Sequence, residues 1–522
     1  MRAEKEREIF PRQKILERPE LVISIAIGLA LLLSTGLISA NREFHNFGTE
    51  TDFILRFVAE AQKIRSGDPL GMEFHPPLYA FALSAIELLF GDWFQAGRFI
   101  SWLSVLVVLY STFVLSSEVF GRRIGLGVLA TLGASSVFVA YGAMATSDLP
   151  FLAAYSTTLL LCFRADTNGS ALKWFVTGLS IGLCILTRAN GLVTLALVAV
   201  PLCRRGSYRQ RIQSVTAMLA GVGLLPIIWG VYAAYTGSPF VPVDTRLNLV
   251  TAFYADYVSA QGGKYAPSVQ EQFKNIWDVF LFDPGAIVAA YLKNSAILVF
   301  AGLSKILESP ISLLILPGLF VIFIHKTHRF AFVILFITVA HIALVNFKTF
   351  EARFFLFLVP FLGLGLGKTY ELVQGSLKHV VQQRLLLIVF ILCVVLSGMM
   401  ATYEGWERAR FGEKELAASV PGVLAIGLDR DALIVARKKH LSYYTGVSWK
   451  YIPRVDTFSD LHKALMAVSS DLPIFLYFGA MEASDRPLLG ALRNPADSPD
   501  WLEPLAYGPE NGGWVFYRVV RL

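Results

Sequence analysis

The sequence predicts a polytopic α-helical membrane protein. It has about eleven transmembrane helices with the N-terminus inside and the C-terminus outside, interfacial helices in the first external loop, and a small C-terminal extracytoplasmic α/β domain. Three observations carry this. Of the 522 residues, 55% are hydrophobic and only 16% charged, against about 25% charged in a soluble domain. The apolar residues fall into blocks about as long as a bilayer is thick. Lys and Arg gather in alternate short loops, which is the signature of cytoplasmic connections.

The blocks lie at about 21–40, 96–119, 124–142, 148–163, 173–187, 190–203, 213–235, 310–325, 330–346, 354–369 and 385–402. Basic residues concentrate in the tail before Glu20, at Arg122-Arg123, from Arg164 to Lys173, from Arg204 to Arg211, from Lys326 to Arg329, and from Lys368 to Arg384. Opposite turns such as 143–147 are nearly uncharged. The tail is therefore cytoplasmic, and it shows no cleavable signal peptide. The net charge, 46 basic minus 39 acidic residues or +7, sets orientation and does not indicate a nucleic-acid partner.

One further block, 286–304, is apolar enough to cross, but Lys293 and Asn294 interrupt it. It is expected to be an interfacial helix broken at that point. The domains follow: 1–402 a transmembrane catalytic module, with a first external loop at 41–95 and a long one at 236–309, and 403–522 the external domain. The last holds β-like runs at Ala432 to Ala436, Ile474 to Phe478 and Trp514 to Val520, with a helix-like stretch from Asp460 to Ser469.

The first external loop is the most informative part. Phe53, Ile54, Phe57, Val58, Ala61 and Ile64 recur at helical spacing, which predicts an amphipathic helix over 51–65 on the membrane surface with Asp52 at its start. A second interfacial helix follows the Pro76-Pro77 pair. Asp148 opens the fourth block on the same face. Either acid can be a simple helix start. Two acids on one membrane face instead suggest function, because ionisable groups there are costly. Lys348, Glu351 and Arg353 sit in an external turn, where cations suit an anionic headgroup or simply snorkel to the interface. Arg188 in LTRANG is placed similarly, and His75 can orient a carboxylate or serve the local fold. Aromatic residues of the long loop (Phe253, Tyr254, Tyr257, Tyr265) either stack on sugar or pack the loop.

Common nucleotide signals are missing. There is no Walker A motif, and the single Asp-x-Asp, Asp429-Arg430-Asp431, falls outside the cell in this topology. The four cysteines (Cys162, Cys184, Cys203, Cys393) show neither disulfide nor zinc spacing.

The order of these elements resembles the C-type glycosyltransferase superfamily, and within it the bacterial protein-mannosyltransferase-like group that includes the lipid A aminoarabinose and galacturonic acid transferases. The likeness rests on HPPLY, FGRRIGLGVLATLGASSVFVAYGAMATSDLPF, LTRANGLV and EARFFLFLVPFL. It covers about residues 1–400 and is strongest over 48–205. The resemblance implies an integral enzyme of the cell inner (plasma) membrane with its active site on the extracytoplasmic face. Its partners would be a polyprenyl-phosphate sugar donor, a glycan, lipid or protein acceptor, and membrane lipids. By the same likeness Asp52 is the general base, and Asp148 holds acceptor, sugar or a metal. Arg353, helped by Lys348, binds the carrier phosphate, with Glu351, Arg188, His75 and Tyr79 completing the binding set. Many relatives carry an Asp-Glu pair in the first loop. Here Phe53 follows Asp52 and Glu50 precedes it, so the base stays open between Asp52 and Glu50. No cofactor is demanded by any spacing; a divalent cation, held by Asp52 and Asp148, is compatible with oxygen ligands. The competing classes are a transporter or flippase of lipid-linked glycans and a polysaccharide polymerase or ligase. The first should show inverted repeats, of which the sequence has no sign, and the second gives no reason for HPPLY and SDLP.

Overall fold

A computed structural model describes residues 19–42, 52–71, 75–204, 206–242, 245–261, 267–302, 306–307, 311–324, 329–347, 351–410, 414–453, 455–468, 472–508 and 513–520. The chain divides into two compact units, Met1–Ala40 with Lys63–Trp406, and Asn41–Gln62 with Glu407–Leu522.

The first unit is almost wholly helical, and each predicted apolar block within it falls on helix. Four described helices are long and apolar enough to cross a bilayer by themselves: Val22–Ala40, Trp93–Phe120, Tyr208–Thr236 and Val380–Glu407. A bent pair, Arg122–Gly133 and Ser136–Ala143 at 67°, has the apolar length of a fifth span or of a re-entrant loop. The chain is thus a multi-span membrane protein. The remaining blocks are shorter or more polar helices, such as Asp148–Asn168, Ala171–Thr187 and Arg329–Val345. Block 190–203 is mostly a 3₁₀-helix, Ala189–Val198.

Close packing fixes the helix that follows the Arg353 turn. Helix Leu358–Ser376 carries Gly363, Gly365 and Gly367. A Cβ on Gly127 would collide with the backbone of Gly367, and one on Gly365 would meet the Ile315 carbonyl. The helix is therefore pressed between Arg122–Gly133 and Ile311–Ile324 at backbone contact, the small-residue packing of membrane helices.

Two expectations are corrected. The predicted amphipathic helix over 51–65 forms as a π-helical turn, Phe53–Val58, continued by Ala59–Ser66. Its apolar face is buried, with Phe53 at 1% and Ile54 at 2% exposure. That face is covered by protein and does not rest on lipid; amphipathicity alone does not say which apolar phase it serves. By contrast, helix Leu78–Phe90 buries Tyr79 and Leu83 but leaves Leu88 and Leu89 exposed. Second, residues 284–297 form one helix straight through Lys293 and Asn294. The Asn294 amide donates to the Asn346 carbonyl at 2.9 Å, so its polar group is satisfied without a break. Of the two readings left open for the long-loop aromatics, packing matches the structure: Tyr254 stacks on Phe273 with centroids 5.7 Å apart, and its hydroxyl donates to the Val279 carbonyl at 2.7 Å. Phe253 and Tyr257 join the same cluster. Tyr265 lies outside the described residues.

The second unit holds a five-stranded mixed sheet. In chain order its strands are β1 (Leu433–Ala436), β2 (Ser448–Tyr451), β3 (Ile474–Phe478), β4 (Leu502–Tyr507) and β5 (Val515–Val519). Their order in space is β2-β1-β3-β5-β4. The first three are parallel, while β5 runs antiparallel to both β3 and β4. One face packs around Val435, Leu476, Leu461 and Tyr517, the other around Ile434, Phe475, Phe516 and Val420. Strands β2 and β4 were not expected from the sequence.

Candidate active site

A narrow cleft in the helical unit is lined by Asp148, Phe151, Leu152, Arg188, Asn190, Arg353, Phe354, Leu356 and Phe357.

Each charged residue sits at an element boundary. Asp148 is the first residue of helix Asp148–Asn168. Arg188 terminates helix Ala171–Thr187 in extended conformation, just where the chain tightens into the 3₁₀-helix. That break lets the guanidinium reach back. Its Nη1 donates to Asp148 Oδ1 at 2.7 Å and to Ser147 Oγ at 3.2 Å. The pair is buried, with side chains 11% and 5% exposed. Arg353 lies on a 3₁₀ turn, Ala352–Phe355, and its Nε pairs with Glu351 Oε2 at 2.6 Å. The Phe354 ring carries both cations: the Arg353 guanidinium carbon is 5.0 Å from its centroid and that of Arg188 5.9 Å. Two arginines thus flank one aromatic face beside a single lining carboxylate, an arrangement that favours an anion.

The structure brings together Asp148, Arg188, Arg353 and Glu351. His75 is half-buried in the turn before Pro76-Pro77 and Tyr79 is buried in the following helix; neither lines the cleft formed by the described residues. Asp52 belongs to the second unit, and its side chain makes no capping hydrogen bond to the helix it begins. The N-cap alternative for Asp52 thereby loses its geometric basis. Glu50 and Lys348 lie outside the described residues. The Asp148 carboxylate is held by a guanidinium, which competes with any cation there. Among the described residues no group of three or more His, Cys, Asp or Glu could hold a metal.

Asn190 and His341 were not anticipated. The Asn190 amide nitrogen lies 3.0 Å from His341 Nε2. The His341 ring is fully buried and stacks on Phe357 with centroids 3.6 Å apart. A lone histidine within an apolar block was the available signal, because such groups are expensive in a bilayer.

Comparison with known proteins adds to this geometry. Residues 74–232 match the family described as dolichyl-phosphate-mannose-protein mannosyltransferase. No curated protein matches the chain by sequence. Among solved structures, ArnT from Cupriavidus metallidurans bound to undecaprenyl phosphate is similar over 95% of this chain and 97% of its own, at 14% identity and a TM-score of 0.59. The same protein in its apo state gives 0.54 with the same identity and coverage. The oligosaccharyltransferase AglB from Archaeoglobus fulgidus, in complex with an inhibitory peptide and a dolichol-phosphate, matches over 90% of this chain and 73% of its own, at 10% identity and a TM-score of 0.54. The fold is shared with ArnT and AglB. Residues 74–232 thus match a glycosyltransferase family within a multi-span fold like that of ArnT.

Proposed function

We propose that the chain transfers a sugar from a polyprenyl-phosphate donor to a hydroxyl-bearing glycan, lipid or protein acceptor on the extracytoplasmic face of the plasma membrane, with inversion. The carrying observation is the cleft in which Arg188 and Arg353 flank Phe354 beside Asp148. It is the arrangement expected for receiving the carrier phosphate.

In this reading the acceptor oxygen attacks the anomeric carbon as the bond from that carbon to the phosphate oxygen breaks. The bonding pair leaves with the phosphate, and the acceptor proton passes to a carboxylate. A single displacement needs one base and a stabilised leaving group, not the close carboxylate pair of a retaining enzyme. Arginines fixed on the departing phosphate oppose the charge that develops there, commonly the larger part of such catalysis. A positioned base contributes about 10²–10⁴-fold. Asp52 or Glu50 would supply it, and Asp148 would orient Arg188 and the substrate. The topology that puts the N-terminus inside, the catalytic module at 1–402 and the external domain at 403–522 belongs to the same proposal.

The test uses the full chain in nanodiscs with undecaprenyl phosphate as probe. Arg353→Ala should weaken its binding at least about tenfold, the worth of one charge-assisted contact; equal affinity removes Arg353 from the phosphate site. Asp52→Asn should lower transfer by about 10²–10⁴-fold with membrane expression intact. Normal turnover in that variant, with loss in Glu50→Gln, would move the base to Glu50.

A further inference from the structure

Apart from Asp148, Arg188 and Arg353, the cleft lining is apolar except for one amide. Asn190 lines the cleft and is half-exposed there. Its side-chain nitrogen points at His341 Nε2, 3.0 Å away. An amide nitrogen can only donate, so Nε2 accepts and the ring proton sits on Nδ1. The ring itself cannot turn. It stacks on Phe357 at 9° and 3.6 Å, with Phe151 and Tyr155 against it at 5.8 and 5.4 Å. Phe357 and Phe151 also line the cleft.

An amide is planar, so fixing its nitrogen fixes its oxygen. Asn190 Oδ1 takes no hydrogen bond from the described residues, although its neighbours in the wall are rings and aliphatic chains. A lone acceptor of set direction, in the same cleft as two arginines that suit a phosphate, is placed for a hydroxyl on the ring that the phosphate carries. A donor sugar offers such hydroxyls. We infer that Asn190 is a specificity-determining residue that accepts a hydrogen bond from a hydroxyl of the donor sugar, and that His341 is the positioning residue that locks its amide. The inference rests on the donor-site reading above and adds which part of the donor is read and by what. His341 acts through Asn190 and the Phe357 ring and has no contact of its own with substrate in this scheme.

The experiment measures binding of bare undecaprenyl phosphate and of two undecaprenyl-phosphate hexoses, glucose and galactose, to the full chain in nanodiscs. Wild type should prefer at least one hexose lipid over the bare lipid and should separate the two epimers. Asn190→Leu should lower the affinity for the favoured hexose lipid about tenfold more than that for bare lipid, the worth of one lost hydrogen bond with its partner left unpaired. His341→Phe keeps an aromatic ring for stacking but removes the acceptor, and should reduce the preference in the same direction. His341→Gln returns an acceptor oxygen and should restore part of it. Asn190→Ser serves as a smaller second variant if the leucine prevents folding. Unchanged hexose preference in Asn190→Leu or Asn190→Ser overturns the inference, as does a wild type that binds bare lipid but treats all three alike. Failure of wild type to bind even bare undecaprenyl phosphate overturns the donor-site reading itself, and equal binding by Arg353→Ala counts against it. A loss of bare-lipid binding in His341→Phe that His341→Gln does not restore would mark His341 as packing alone.

Discussion

The two units of the chain bury carboxylates in opposite ways. In the helical unit, Asp148 is matched by a guanidinium at 2.7 Å. In the sheet unit, Glu482 is 1% exposed, and it accepts from the backbone N–H groups of Arg437 and Gly479, at 3.0 and 3.1 Å. Burial pushes the Glu482 carboxyl up to about 7, opposed by those amide donors and raised slightly further by Glu415. An ion pair between element ends holds the Arg188 guanidinium in place beside the cleft. Amide donors alone leave a buried acid that titrates near neutrality. The difference teaches which of the two units should respond to pH.

The largest effect expected is on the ion pair. Asp148→Ala leaves Arg188 buried and unmatched and should cost about 3–5 kcal/mol of stability, read as a drop in the thermal midpoint in nanodiscs. An unchanged midpoint would mean that water already screens the pair, and the contrast between the units would fail.

Next is the acid in the sheet. Glu482 has its folded value raised from 4.5 to about 7, so the unfolded chain gives up that proton more readily. The stability it contributes is present below about pH 4.5 and is lost as pH rises through 7, a swing of about 3 kcal/mol. His440 works against this. Its burial lowers it to about 3 from 6.5, so its contribution is present above pH 6.5 and is lost as pH falls towards 3. Between pH 4.5 and 6.5 the two oppose each other, and the clean observable is the difference between wild type and Glu482→Gln. That difference should vary with pH from 4.5 to 7 and level off above; a difference flat across that range contradicts the assignment.

The smallest effect sharpens the comparison. Glu415 accepts from the Ala480 amide at 2.8 Å and lies 3.7 Å from Arg493. Glu415→Gln should change stability through that ion pair by less than about 1 kcal/mol. It should also move the Glu482 titration downward by removing a like charge, seen as an earlier midpoint in the same pH series.

Much of the helical unit was legible because a bilayer demands long apolar runs, and those runs leave a plain mark in the chain. Asp148, Arg188 and Arg353 were legible as charges where charges are costly. Their pairing was not, since residues 40 and more positions apart meet only through packing. His341 shows the limit: its apolar block reads as a span, and nothing local announces that the ring meets Asn190 from 151 residues away. In the sheet, β1, β3 and β5 stood out as buried apolar runs. The edge strands β2 and β4 did not, because Ser448–Tyr451 is largely exposed and Pro504 interrupts the other. The continuous helix through Lys293 and Asn294 was missed for the same reason as His341, since its satisfying partner, Asn346, lies far along the chain.

The most direct test is a structure of the full chain with undecaprenyl phosphate bound. The account predicts phosphate oxygens within hydrogen-bond distance of the Arg353 and Arg188 guanidinium groups, beside Phe354, with the isoprenoid leading away between helices. A phosphate seated elsewhere, with the Arg188–Asp148 cleft empty of lipid, would contradict it.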